Sequence, residues 1–306
     1  MLHPWGMSRT AFEKTLAAFI VVWGLAVPPA RAQAPQAPGP PSLDTISYLY
    51  GVNYRTPGVV SAAEPDGADI SRHSIVFLHL DGWRFGSNLV DVNLRISDHA
   101  EPAAGGGTGA TEVYAILRST LSFNKIGRTR RFTYGPLQDV GWEFGFNLQS
   151  KNSDYAANEK TLYLGPSFRF AIPRGFLTSG VHFRKEWNHN GVLGTGESYS
   201  PNLNVDANWS IPLPSGRVPL TFAGFATVNT PKGLDSFGKP TATEVLIRPR
   251  LMVDAGSFLF GSRGVLEAGG GVEYWHNVFG KRAGVVPGAD QLAAFVQLTV
   301  RLTGGH

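Results

Sequence analysis

The feature that most constrains this chain is a two-residue period. From Asn202 to Ile211 it reads NLNVDANWSI, with Asn204, Asp206, Asn208 and Ser210 on one parity and Leu203, Val205, Ala207, Trp209 and Ile211 on the other. Successive side chains of a β-strand leave opposite faces of the sheet, so this segment reads as a strand with one polar and one apolar face. In TLYLGPSFRFAI (161–172), Leu162, Leu164, Phe168, Phe170 and Ile172 oppose Tyr163, Ser167 and Arg169. In TEVLIRPRLMVDAG (243–256), Val245, Ile247, Leu251 and Val253 oppose Glu244, Arg248, Arg250 and Asp254. Near the C-terminus, Leu292, Val296, Leu298, Val300 and Leu302 oppose Gln297, Thr299 and Arg301.

About twelve such segments follow one another. They are expected over 43–55, 72–83, 85–97, 111–124, 140–151, 160–172, 176–188, 202–212, 218–229, 242–255, 263–277 and 290–303. Most are longer than the five or six residues usual in soluble sheets and match the roughly nine to eleven that a tilted strand needs to cross a bilayer. Short links near 83–85, 173–175, 213 onward and 256–262 alternate with long polar or Gly-rich ones, such as SDHAEPAAGGGTGA and NTPKGLDSFGKPTA. Outer-membrane barrels alternate periplasmic turns and external loops in this way. The basic link KIGRTRRFTYGPLQD (125–139) is the exception, too long for a periplasmic turn.

The expected fold is therefore all-β, a single-chain antiparallel transmembrane β-barrel of about twelve strands over 43–303, with the apolar parity toward lipid. On this orientation an arginine at Val205 or Leu298 is costly and one at Asn204 is tolerated. Trp142 and Trp209 at one rim, and Tyr54, Trp187 and Tyr274 at the other, fall on the apolar parity like an interfacial girdle.

Residues 1–32 read as a secretory signal peptide: Arg9 and Lys14, an apolar run from Leu16 to Val27, then Ala30, Arg31 and Ala32. The run is shorter than the roughly twenty residues of a membrane-spanning helix. A Pro/Ala-rich leader over 33–42 follows. Without the signal peptide the chain carries 27 − 3 = 24 basic and 23 − 1 = 22 acidic residues, too balanced to attract nucleic acid. It has no cysteine, so neither disulfides nor thiolate metal sites are available.

The stretches DGWRFGSNLVDVNLRIS (81–97), SKNSDYAANEKTLYLGPSFRFAIP (150–173), ATEVLIRPRLMVDAG (242–256) and GVEYWHNVFGK (271–281) resemble the Tsx-type family of outer-membrane channels, in particular its divergent members called outer envelope proteins. The resemblance covers about 44 to 302. It implies a monomeric twelve-stranded barrel in the Gram-negative outer membrane and, for the best-known relatives, diffusion of nucleosides. It assigns no nucleoside contact to a position here. The chain departs from the barrel habit of a terminal aromatic, ending RLTGGH with Leu302 in that place.

The polar parity of the strands gives a mixed lumen: Asp91, Asn93, Arg95, Glu112, Arg118, Arg169, Arg184, Glu186, Asp206, Glu244, Arg248, Arg250, Glu267, Glu273 and Arg301. Opposed charges across a constriction orient a neutral hydrogen-bonding solute without holding net charge. Tyr114, Tyr163 and Phe295 share this parity and offer stacking surfaces for a base or sugar. Small polar solutes, nucleosides among them, and outer-membrane lipid are the expected partners, with no cofactor.

Two alternatives stay open. The charged groups can pair and plug the barrel, leaving a structural protein. A lipid hydrolase would need Ser, His and an acid or Asn within hydrogen-bond reach; His73 and Ser74 are adjacent and so point apart, and no His–x–Ser occurs, but a cross-strand pair around His182 is allowed. His189 and His276 fall near external loops without a second ligand at metal-binding spacing.

Overall fold

The computed structural model describes residues 42–214 and 218–303. The expected signal peptide, and all of the leader except Ser42, lie outside them. Twelve long strands form: β1 Leu43–Tyr54, β2 Ile70–Trp83, β3 Gly86–Ser97, β4 Thr111–Ser122, β5 Leu137–Lys151, β6 Lys160–Phe170, β7 Phe176–Asn190, β9 Asn202–Leu213, β10 Leu220–Asn229, β11 Glu244–Asp254, β12 Leu266–His276 and β13 Asp290–Thr303. The alternation therefore predicts each of them to within a few residues. The short strand β8, Thr195–Ser198, extends a hairpin from the end of β7 and was not expected, because four residues in a polar Gly-rich link carry no readable period.

Every long strand pairs antiparallel with its chain neighbour, β7 with β9 across β8, and β1 pairs with β13. The sheet thus closes into an antiparallel barrel. At the closing seam Ser47 Oγ and Thr299 Oγ1 share a hydrogen bond of 2.8 Å.

Burial decides which face is inside. On β1, Thr45, Ser47, Leu49 and Gly51 are buried while Ile46, Tyr48, Tyr50 and Val52 are exposed. The same split runs round the wall, through Ile75 and Phe77, Phe144 and Phe146, Val181 and Phe183, Leu203 and Val205, Ile247 and Leu251, and Val296, Leu298 and Val300. An apolar surface this continuous cannot face water; it is a lipid-facing belt. Trp142, Trp187 and Tyr274 belong to it, as expected. Tyr54 does not. The left-handed backbone of Asn53 (φ 62°) and a register shift between Gly51 and Tyr54 turn this ring inward, where it is buried beneath the Arg72 guanidinium, 4.6 Å from the ring centre.

The long link between β4 and β5 is folded rather than open. Ser122 Oγ caps a helical turn, α1 Phe123–Gly127, by accepting from Lys125 N at 3.0 Å, and Arg128 ends it in the left-handed region (φ 46°). Lys125 Nζ donates to the carbonyls of Trp83 (3.2 Å) and Gly86 (2.8 Å), fastening the link to the neighbouring β2–β3 turn.

Candidate functional site

The interior is the candidate site. Strand register puts every expected pore-lining residue on the inward parity: Arg95 opposite Glu112, Arg118 opposite Gly145, Tyr163 opposite Arg184, Asp206 opposite Gly180, Glu244 opposite Asn229, Arg250 opposite Gly271, Phe295 opposite Gly271 and Arg301 opposite Thr45. They divide into networks at different heights.

At the end bearing the long loops, two loops bend into the mouth. Glu101, from the loop after β3, is 1% exposed. It accepts hydrogen bonds from Thr56 Oγ1, Lys151 Nζ and Ser97 Oγ (2.5 Å), with Arg72 at 3.4 Å. Burial pushes its carboxyl up, but Lys151 and Arg72, with the hydrogen bonds from Lys151 and Ser97, outweigh that and hold it at about 2. Glu112 links this group to Arg95 at 2.7 Å. Lys232, from the loop after β10, reaches Glu186 at 2.6 and 2.7 Å, and Arg184 meets the same carboxylate at 2.5 Å. Glu159, at the foot of the preceding loop, faces this cluster at 3.9 Å from Arg184; burial and then the Glu186 carboxylate push it up to about 7, against the pull of Arg184 and Lys232. Neither loop contact was legible in sequence, since Glu101 and Lys232 lie in aperiodic polar segments.

Below these lie hydrogen-bonded aromatics. Asn147 Nδ2 donates to Tyr114 Oη (2.6 Å) and Tyr163 Oη (3.1 Å), and Arg184 Nε donates to Tyr163 Oη (3.2 Å). The three rings expected to offer stacking faces are each covered by a guanidinium: Arg95 lies 5.1 Å from the centre of Tyr114, Arg118 4.1 Å from Tyr163 and Arg248 4.6 Å from Phe295. The flat surface left toward the lumen is then the guanidinium itself.

On β11 the four charged residues of the polar parity differ in their partners. Glu244 accepts from Trp275 Nε1 (2.8 Å), Asn229 Nδ2 (3.1 Å) and the Phe279 backbone (3.3 Å). Arg248 lies 3.4 Å from Glu273, which also accepts from Gln291 at 2.7 Å. Asp254 caps the β11–β12 link, its oxygens accepting from Ser257 N (3.2 Å) and Gly264 N (2.9 Å). Arg250 forms no ion pair among the described residues, and its buried Nε has no hydrogen-bond partner. Arg169 and Arg301 are exposed, near the short-loop ends of β6 and β13.

A further group, missed in the sequence, joins Glu143 on β5, His182 on β7 and Asp206 on β9. Only pairing across several strands brings them together. His182 meets carboxylates and an amide rather than a serine hydroxyl, its Nδ1 lying 3.1 Å from both Asn204 Oδ1 and Asp206 Oδ2. His73 lies on the outer face with its Nδ1 2.7 Å from Tyr48 Oη, whereas Ser74 is buried on the inner one. His276 contacts Asp290 at 2.9 Å.

No protein-family model matches the chain, and no curated protein sequence does. Among solved structures the chain is similar to an outer-membrane channel from Pseudomonas putida F1 (9% identity, 90% of this chain and 100% of that one, TM-score 0.47). It is also similar to the NanC porin (8% identity, 84% and 100%, TM-score 0.44) and to the translocator domain of the autotransporter NalP from Neisseria meningitidis (12% identity, 97% and 100%, TM-score 0.41). These likenesses are distant, and no functional conclusion rests on them.

Proposed function

We propose that the chain is a monomeric passive channel of the Gram-negative outer membrane, exported by its first 32 residues, through which small polar solutes diffuse, nucleosides among them. The observation that carries this reading is the wall's inversion: apolar residues face outward, while the inner face keeps charged side chains that are still reached by solvent, Arg95 and Asp206 at 21% exposure. A purely structural plug has no need of charged groups that solvent still reaches along its axis. Arg250 supports the reading further, because a guanidinium without an ion pair has donors to offer a passing solute. With the aromatic rings covered, a base would stack on the arginine planes, and its sugar hydroxyls would meet the carboxylates.

The plugged barrel remains the competing reading, favoured by one observation: Glu186 and Lys232, 2% and 4% exposed, pair at 2.6 Å between the wall and the loop after β10. Single-channel recording in planar bilayers separates the two. A channel gives discrete conductance steps that adenosine or uridine reduces in a saturable way, and Arg250→Ala weakens that block while the protein still folds. Lys232→Ala should raise conductance by freeing its loop. Absence of current in both wild type and Lys232→Ala would establish the plug.

A further inference from the structure

We propose that Glu143, His182 and Asp206 form a binding site for a divalent first-row transition-metal ion on the inner wall of the barrel. One donor atom from each residue lies within 4.8 Å of the others. Ligands bound at about 2.0–2.2 Å around one ion stand roughly 3 to 4.4 Å apart, so small side-chain rotations close the set.

Three features show that the site is built rather than incidental. The first is the imidazole. His182 is fully buried, at 0% exposure, and its Nε2 points toward Glu143 Oε1 at 3.5 Å without a hydrogen-bond partner. A buried ring nitrogen without a partner has lost its water and gained nothing in return, unless something else takes the lone pair. The second is the opposite nitrogen. Asn204 Oδ1 and Asp206 Oδ2 both lie 3.1 Å from Nδ1, so when Asp206 turns from Nδ1 toward the ion the Asn204 amide still holds the ring in orientation, as an outer partner does for a ligating histidine. Asn204 is itself fixed by bonds to Thr227 (2.6 Å) and Asn229 (2.9 Å).

The third is the space around the ring. Gly180 precedes His182 by two residues on the same face, and a Cβ there would fall 2.1 Å from His182 Cε1. Gly165, on the strand between Glu143 and His182, is the register partner of Glu143, and a Cβ on it would fall 2.8 Å from His182 Cα. These glycines let the imidazole lie flat along the wall and let Glu143 reach it across an intervening strand. Any larger residue at either place would separate the donors.

The chemistry of the set selects the ion. One imidazole nitrogen with carboxylate oxygens suits Zn2+ and its first-row neighbours, whereas Ca2+ and Mg2+ take all-oxygen shells. Arg118 Nε stands 3.7 Å from Glu143 Oε1 but directs its NH1 to Asn147 Oδ1 at 2.9 Å and the Leu117 carbonyl at 2.9 Å. It offsets one carboxylate, leaving one negative charge for the ion. Thr120 Oγ1 donates to Glu143 Oε2 at 2.9 Å, which leaves Oε1, the oxygen 3.5 Å from His182 Nε2, as the one that turns to the ion. Glu143 and Asp206 are 18% and 21% exposed, so the ion enters from the lumen and its remaining positions carry water.

The test is calorimetric titration of Zn2+ into the metal-stripped full chain folded in detergent, independent of whether the barrel conducts. Expected is one site per barrel whose Kd rises about tenfold or more in His182→Gln, Asp206→Asn and Glu143→Gln, with Mg2+ failing to compete. His276→Gln, which removes another histidine–carboxylate contact, should bind as wild type does. Folding of each variant is checked by its heat-dependent gel mobility; if His182→Gln does not fold, the two carboxamide variants carry the test. Absence of Zn2+ binding, or binding unchanged in the variants that fold, overturns the proposal and leaves the group a buried ion pair.

Discussion

At the scale of single residues, the interior is governed by whether a buried charge has a partner. Glu101 is the clearest case, because a carboxylate 1% exposed at a loop tip persists only where cations and hydroxyls replace its water. Its carboxyl is held at about 2 against an ordinary 4.5, so its contribution is present above pH 4.5 and is lost as pH falls from there through about 2. That difference corresponds to roughly 3 kcal/mol, at about 1.4 kcal/mol for each pH unit. Glu101→Gln should therefore make the loop 98–110 cleavable by proteinase K at pH 7, where the wild-type loop resists, and should flatten the acid dependence of that resistance. Glu159 has the opposite sign. Raised to about 7, it keeps its proton to higher pH in the folded barrel than in the unfolded chain, so its effect on stability becomes less favourable as pH rises from 4.5 through 7. These roles are not legible in sequence, where Glu101 is one acid in a Gly-rich loop and Glu159 precedes a strand like any other polar residue.

At the scale of elements, alternation within a strand fixes which parity faces lipid but not how tightly the other parity is packed. On β9, Val205 is exposed on the outer belt, and Val205→Arg should cost about 2 to 4 kcal/mol near the bilayer midplane. Tolerance of arginine at Asn204, expected from parity alone, does not follow. That amide is 2% exposed and bonded to Thr227 and Asn229, so a guanidinium would displace both. Asn208, two steps further and exposed, is the position where arginine should change stability by less than about 0.5 kcal/mol. Urea unfolding in lipid vesicles reads all three, and a cost at Asn208 equal to that at Val205 would contradict the inside–outside assignment. Strand positions were legible because the period is local. The Glu143–His182–Asp206 group was not, because its geometry depends on the registers of β5 with β6, β6 with β7 and β7 with β9 together.

At the scale of the whole molecule, stability rests on closure, since hydrocarbon leaves no solvent for an unpaired strand edge. Deleting 290–303 would expose the edges of both β1 and β12, so in vesicles the full chain should give a protease-resistant, heat-modifiable form and the shortened chain should not. The pairing order has a further consequence in time. Each hairpin can zip with its predecessor as the chain lengthens, but the β1–β13 seam joins Ser47 to Thr299, separated by 252 positions. Contacts so distant along the chain form last and slowly. Until the final strand is delivered, β1 waits with an adhesive margin turned to its surroundings, open to any stray strand. A nascent copy of this protein therefore has to be escorted, and the last strand, β13, is the latch that ends the escort.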